Sequence, residues 1–256
     1  MQSHRKSTVK AADATIWQKP AAKIRQLWIK HWHQFLSGCA NTWQPEVRTQ
    51  FKFCGIKTQS DFAYAAWLGV DIVGLVFHKA SPRYIDIARA QGLIEEADKS
   101  VRVAGLFMDA DHDFIADIVK QINLDYIQFH GTESVEFCTS FSLPYIKAIP
   151  MADEAQANEM IEAHRNSADI LLLDGHRIGM PGGAGVAFDW RDFSEIDASI
   201  FVAGGLNPEN VAQAIAQCRP QGVDVSSGIE STAGVKDPML MKAFAEAVSH
   251  ADSQKL

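Results

Sequence analysis

The chain has few cysteines, no long apolar run, and a first segment that is almost free of acids. Cys39, Cys54, Cys138 and Cys218 are scattered, and no two stand at CxxC spacing. That argues against a zinc centre or a disulfide framework and fits a reducing cytosol, so a cytoplasmic protein is expected. No apolar stretch approaches the roughly 20 residues that a membrane helix needs. With 47% hydrophobic and 21% charged residues the chain reads as an ordinary soluble globular protein without stable membrane association. Residues 1–49 contain only Asp13 and Glu46 as acids against eight lysines and arginines. They therefore carry +6, and since the whole chain carries -7 the remainder carries -13. An acidic body argues against nucleic acid as the main ligand but leaves room for a local anion pocket.

The organisation follows from these contrasts. In residues 1–49, Ile24, Leu27, Trp28, Trp32, Phe35 and Leu36 recur at helical spacing among Lys23, Arg25 and Lys30, which suggests a basic amphipathic helix. There is no uninterrupted apolar core of a secretory signal. An organellar transit segment, a docking or membrane-surface helix, and a flexible extension all fit. No methionine lies between Met1 and Met108, so a start at Val47 through an alternative initiation codon is a further hypothesis, and amino-terminal sequencing of natively expressed protein tests it. Residues 50–250 are expected to form the working domain and 251–256 a tail.

From residue 50 onward strand-like and helix-like patterns alternate, the mark of a parallel α/β fold. Strands are expected at Phe51–Cys54, Ile72–Phe77, Val101–Met108, Tyr126–Phe129, Tyr145–Ile149, Ile170–Leu173, Ser199–Ala203 and Gly222–Val225. Helices are expected at about 59–68, 86–99, 114–122, 133–140 and 153–165. Eight strands with mostly helical crossovers indicate one closed (β/α)8 TIM barrel carrying a non-homologous N-terminal extension.

In such a barrel the chemistry sits at the carboxyl ends of the strands. Cys54 ends the first strand and Asp174 the sixth, so both are candidates for the barrel mouth. Strand alternation puts Lys52 and Cys54 on one side. A thiol near positive charge can serve as a base, and a carboxyl held in a pocket can keep its proton and act as an acid. Each also has a plainer reading, as a packed cysteine or a loop-capping aspartate. Arg83 offers a planar fork suited to a carboxylate, or else a surface ion pair.

Glycines mark three loops. Ala203-Gly204-Gly205-Leu206-Asn207-Pro208 follows strand seven and is expected to open a helix with Asn207 as cap and Pro208 in its first position. Asp224-Val225-Ser226-Ser227-Gly228 follows strand eight. Loops in these two places commonly hold phosphate through backbone N–H groups, which points to a phosphorylated small molecule. Between Asp174 and Trp190, Gly182-Gly183-Ala184-Gly185 looks like a dinucleotide turn, but Phe188-Asp189-Trp190 follows where a helix would have to open. A mobile loop beside the site fits better.

Taken together, Lys52-Phe53-Cys54-Gly55-Ile56, Phe77 with Ser81-Pro82-Arg83-Tyr84-Ile85, Gln128-Phe129-His130-Gly131, Leu172-Leu173-Asp174, the 182–185 glycines with Phe188-Asp189-Trp190, the 203–210 loop and Asp224-Val225-Ser226-Ser227-Gly228-Ile229-Glu230 resemble phosphoribosylanthranilate isomerase of tryptophan biosynthesis, over about residues 50–248. The resemblance implies an Amadori rearrangement of N-(5-phosphoribosyl)anthranilate without cofactor or metal, because the imine nitrogen is itself the electron sink. It implies Asp174 as the acid that opens the ribose ring and Cys54 as the base that takes the C2 proton. It also implies Arg83 on the anthranilate carboxylate, Gly204, Gly205, Ser227 and Gly228 on the phosphate, and Gly182 and Gly183 flanking Asp174. His130 matches the motif with packing or hydrogen bonding as its expected part. Lys57 departs from the small hydroxyl residue common there. A monomer is expected. The related histidine-pathway isomerase uses an aspartate as base, so Cys54 argues against it. A sugar-phosphate epimerase would need metal ligands that the strand ends lack, and a silent phosphate-binding barrel would leave the acid and base without purpose.

Overall fold

The computed structural model describes residues 48–96, 100–175, 190–191 and 193–254. The expected amphipathic helix of the first segment and the Gly182–Gly185 loop lie outside the described residues. Eight parallel strands close into a barrel in sequence order: β1 (Gln50–Cys54), β2 (Ile72–Val76), β3 (Arg102–Phe107), β4 (Tyr126–Phe129), β5 (Tyr145–Pro150), β6 (Ile170–Asp174), β7 (Ile200–Val202) and β8 (Gly222–Val225). Closure is made by β1 on β8, with Lys52 opposite Asp224 and Phe53 opposite Val225. The expected eight-stranded barrel is therefore present, with strand limits within two residues of those read from the sequence.

Alternation divides the strand side chains between two apolar layers. Ile72, Ala104, Ile146, Ala148, Ile170, Leu172, Phe201 and Ala203 fill the barrel interior. Their neighbours along each strand, among them Phe53, Val73, Leu171, Leu173 and Val223, pack outward beneath the helices. Both faces are dry, so the strands read as continuous apolar runs, as parallel strands do.

The helices are α1 (Gln59–Trp67), α2 (Ile87–Glu95), α3 (His112–Gln121), α4 (Val135–Thr139), α5 (Glu154–His164), α6 (Val211–Cys218) and α7 (Pro238–Ser253). Short polar side chains fix several of their starts by accepting otherwise unpaired N–H groups. Thr58 accepts from Asp61, Asp86 from Arg89, Asp153 from Gln156, and Asp237 from Met239 and Leu240. α7 runs three residues past 250, with Ala251 buried, and Asp252 accepts from the Thr49 amide at 2.8 Å and hydroxyl at 2.6 Å. The entry to β1 is thereby tied to the last helix.

Two local expectations change. α6 begins at Val211, not at Pro208. Residues 208–210 form a turn whose N–H groups at Glu209 and Asn210 are accepted by Asn207 Oδ1, so Asn207 caps the turn before the helix. An additional antiparallel pair, β9 (Glu230–Thr232) and β10 (Val235–Lys236), also follows β8. No helix among the described residues is long and apolar enough to cross a membrane.

Candidate active site

Cys54, Arg83, Asp174 and Ser226 line one pocket at the carboxyl ends of the strands, together with Val76, His78, Leu106, Gln128, His130 and Asp224. The proposed base, acid and carboxylate binder are thus brought together from β1, β6 and the loop after β2, although 120 residues separate Cys54 from Asp174 in sequence.

Cys54 is the last residue of β1 and is buried. Its carbonyl accepts from Ser226 Oγ at 3.0 Å, which pins the ends of β1 and β8 together. The chain turns at Gly55 with φ +80°, and a Cβ there would fall 2.7 Å from Arg83 Cδ. Glycine is thus required both for the left-handed turn and for passage of the arginine stem. Burial pushes the Cys54 thiol pKa up; Lys52, Lys236 and Arg83 act to lower it, and Asp224 to raise it.

Asp174 ends β6 and is buried. Space for it comes from the next strand: Gly204, at φ +80°, would with a Cβ stand 2.4 Å from Gly175 N and 2.8 Å from Asp174 Oδ1. Gly204 therefore belongs to the acid's surroundings as well as to the loop after β7. His130, at the end of β4, has Nε2 3.8 Å from Asp174 Oδ2 and Nδ1 3.4 Å from Gln128 Nε2. The Gln128 contact is within hydrogen-bond distance, whereas at 3.8 Å the Asp174 contact is too long to be a hydrogen bond.

Arg83 is buried in the pocket wall, but its Nε and Nη2 donate to Glu230 Oε1 and Oε2 at 2.8 and 2.9 Å. Lys236 Nζ donates to the same Glu230 Oε1 at 2.8 Å and to the Ser226 carbonyl at 2.9 Å. Glu230 thus bridges two cations, and this local triad keeps a net positive charge beside the pocket. Despite burial, the two cations and the Gly234 N–H hold its carboxyl pKa below the usual range. Lys57, the departure from the motif, donates to the Pro82 carbonyl at 2.9 Å and so fastens the loop that carries Arg83.

The two expected phosphate loops meet. A Cβ on Gly228 would lie 1.9 Å from the Leu206 carbonyl oxygen, so the loop after β8 packs on the loop after β7. Asn210 stitches the latter by donating from Nδ2 to Gly205 O at 2.9 Å and accepting the Asn207 N–H at 2.8 Å. Gly204, Gly205, Ser227 and Gly228 are thereby gathered at one side of the mouth. Gly182 and Gly183 lie outside the described residues.

Sequence reasoning assigned nothing to Lys52, Asp224, Glu230 or Lys236. Their signal was available in part: a lysine inside an apolar strand needs a counter-charge, and Asp224 is an acid within an inward-facing alternation.

Comparison with known proteins gives concordant results. The family model "N-(5'phosphoribosyl)anthranilate (PRA) isomerase" matches residues 51–247. An N-(5'-phosphoribosyl)anthranilate isomerase of Nitrosococcus oceani is 43% identical over 203 residues, covering 79% of this chain and 98% of the relative. The crystal structure of phosphoribosyl anthranilate isomerase from Thermotoga maritima superposes with TM-score 0.73 at 32% identity, covering 79% of this chain and 99% of that one. A second solved phosphoribosyl anthranilate isomerase, in complex with reduced 1-(o-carboxyphenylamino)-1-deoxyribulose 5-phosphate, gives TM-score 0.70 at 31% identity with the same coverages.

Proposed function

The chain belongs to the N-(5'-phosphoribosyl)anthranilate isomerase family, and on that footing we propose which of its side chains perform the rearrangement. The protein is an isomerase of tryptophan biosynthesis, converting N-(5-phosphoribosyl)anthranilate to 1-(o-carboxyphenylamino)-1-deoxyribulose 5-phosphate.

Asp174 donates a proton to the ring oxygen of the ribose. The C1–O bond breaks, the anilino nitrogen lone pair forms C1=N, and the sugar opens as a protonated imine. The Cys54 thiolate then takes the proton from C2. The C–H electron pair forms C1=C2, and the imine π pair returns to nitrogen. The enolamine gains a proton at C1 and loses one from the C2 hydroxyl, leaving the ketone. Carbon 1 is reduced and carbon 2 oxidised within one molecule, so the electrons balance internally. What the protein must supply is an acid, a base and orientation. The iminium charge forms beside Cys54 and adds to Lys52, Lys236 and Arg83 in favouring the thiolate against burial.

Arg83 recognises the anthranilate carboxylate with the guanidinium edge left after Glu230 has taken Nε and one hydrogen of Nη2. Gly204, Gly205, Ser227 and Gly228 receive the phosphate. The observation that carries this reading is the convergence of Cys54, Asp174 and Arg83 on one pocket.

The finer assignments extend to partners and compartment. The protein works as a monomer in the cytosol. Among the described residues only Trp67, Val235 and Met239 are large apolar side chains with high exposure, which supports a monomer, and gel filtration tests it. The functional test is loss of anthranilate-type fluorescence when freshly generated phosphoribosylanthranilate meets the intact protein. Turnover is expected. Inactivity both with and without residues 1–46 would sink the assignment.

A further inference from the structure

Lys52 lies in the barrel interior, fully buried, and is not among the residues that line the pocket. It stands two residues before Cys54 on β1, so both side chains point inward. Barrel closure sets Lys52 opposite Asp224 of β8, and Nζ donates to Asp224 Oδ1 at 2.9 Å. The third participant is a glycine. Gly74 of β2 is the register partner of Cys54, and a Cβ there would stand 2.9 Å from Cys54 Sγ and 3.1 Å from Lys52 Nζ. Sulfur and ammonium therefore border one small space, which β2 keeps clear by having no side chain.

Stability gives a poor account of this arrangement, since apolar replacement of a buried ion pair is often neutral or stabilising. We infer that Lys52 is a positioning residue, the built-in counter-ion of the Cys54 thiolate, with Asp224 holding its ammonium against β1. The inference rests on the assignment of Cys54 as base. Among the charges that lower the thiol pKa against burial, Lys52 acts most strongly, ahead of Lys236 from β10 and Arg83 from the loop after β2. Asp224 acts in the opposite sense and less strongly than Lys52. Asp174 of β6 and His130 of β4 face the same pocket. Burial alone would discharge Lys52, but Asp224 and Cys54 outweigh it and keep the ammonium. When Cys54 accepts the C2 proton, Lys52 keeps its own and the Lys52–Asp224 pair remains neutral.

The test uses the full chain and the Lys52→Met variant. Iodoacetamide alkylation of Cys54 is followed against pH by peptide mass spectrometry, which separates it from Cys39, Cys138 and Cys218, and kcat/KM is measured over the same range. The alkylation midpoint and the acid limb of kcat/KM should both move up by at least one pH unit. Activity should fall at least tenfold near neutrality and recover in alkali, whereas a merely structural loss would be uniform in pH. If Lys52→Met does not fold, the doubly neutral Lys52→Met/Asp224→Asn variant leaves no charge stranded, and an upward shift smaller than that of Lys52→Met is expected, because Asp224, which raises the thiol pKa, is lost together with Lys52. An unmoved alkylation midpoint overturns the counter-ion role. A midpoint that moves while the kcat/KM profile stays fixed upholds that role and overturns Cys54 as base.

Discussion

Arg83 and Glu230, 147 residues apart, form a two-point ion pair in the wall of the pocket, Nε to Oε1 at 2.8 Å and Nη2 to Oε2 at 2.9 Å. The pair sets the plane of the guanidinium before any carboxylate arrives. Glu230→Gln loosens that plane and weakens a charge-assisted contact of about 1.5–3 kcal/mol. The expected result is KM raised by about tenfold or more with kcat within a few-fold of the parent, read by steady-state kinetics. A lower KM would mean that Glu230 competes with the substrate and does not orient Arg83.

Gly204→Ala tests the space around the acid. The new methyl would meet Gly175 N and Asp174 Oδ1 at a residue already in the left-handed region. Strain on the order of 1–3 kcal/mol is expected in thermal unfolding. Displacement of the carboxyl should cost about 100-fold in kcat, beyond what the stability loss explains. A variant with parent kcat would show that Asp174 tolerates movement.

Stability should fall on mild acidification because of a group remote from the site. His164 is buried on α5, with Nδ1 3.1 Å from the Tyr145 hydroxyl, and burial holds its pKa down to about 4. A folded pKa below the unfolded value near 6.5 means that the unfolded chain binds the proton first as pH falls. Stability present above pH 6.5 is therefore lost progressively towards pH 4, by up to about 3 kcal/mol. Urea unfolding at a series of pH values reads this directly, and His164→Gln should flatten the slope in that window. Below about 4.5, protonation of Glu230 adds a second loss, since its folded pKa is also depressed.

Lys147 of β5 donates to Glu133 Oε2 at 2.8 Å and to the Gly131 carbonyl at 2.6 Å, with both ionic groups buried. Glu133 in turn accepts the N–H of Asp109 at 2.8 Å and of Gly131 at 3.0 Å. This knot fixes the loops after β3 and β4, including the turn that follows His130. Lys147→Ala leaves Glu133 uncompensated and should cost about 3–5 kcal/mol in chemical denaturation. A loss under about 1 kcal/mol would mean that water or a neighbour replaces the ammonium.

The barrel was legible because each strand is a short apolar run bounded by turn residues, and the spacing admits a helix between most of them. Cys54 and Asp174 were legible as strand ends. β9 and β10 were not, because Glu230-Ser231-Thr232 and Val235-Lys236 are short, polar and lack an apolar face. The start of α6 was misplaced because Asn207 and Pro208 make a good helix opening, yet Asn207 is used to cap a turn instead. Lys52–Asp224 and Arg83–Glu230 depend on the closure of β1 on β8, which brings the loop after β2 within reach of the segment after β8, and no local pattern encodes contacts across 172 and 147 residues.

The most direct measurement of the central claim is single-turnover isomerisation by the parent, Cys54→Ala, Asp174→Ala and the double variant, with circular dichroism confirming that each is folded. An acid and a base acting on one substrate should each be worth about 100- to 10,000-fold. The double variant should fall well short of the product of the two losses, because the groups act as a unit. A folded single variant that keeps its rate within about tenfold of the parent contradicts the role assigned to that residue.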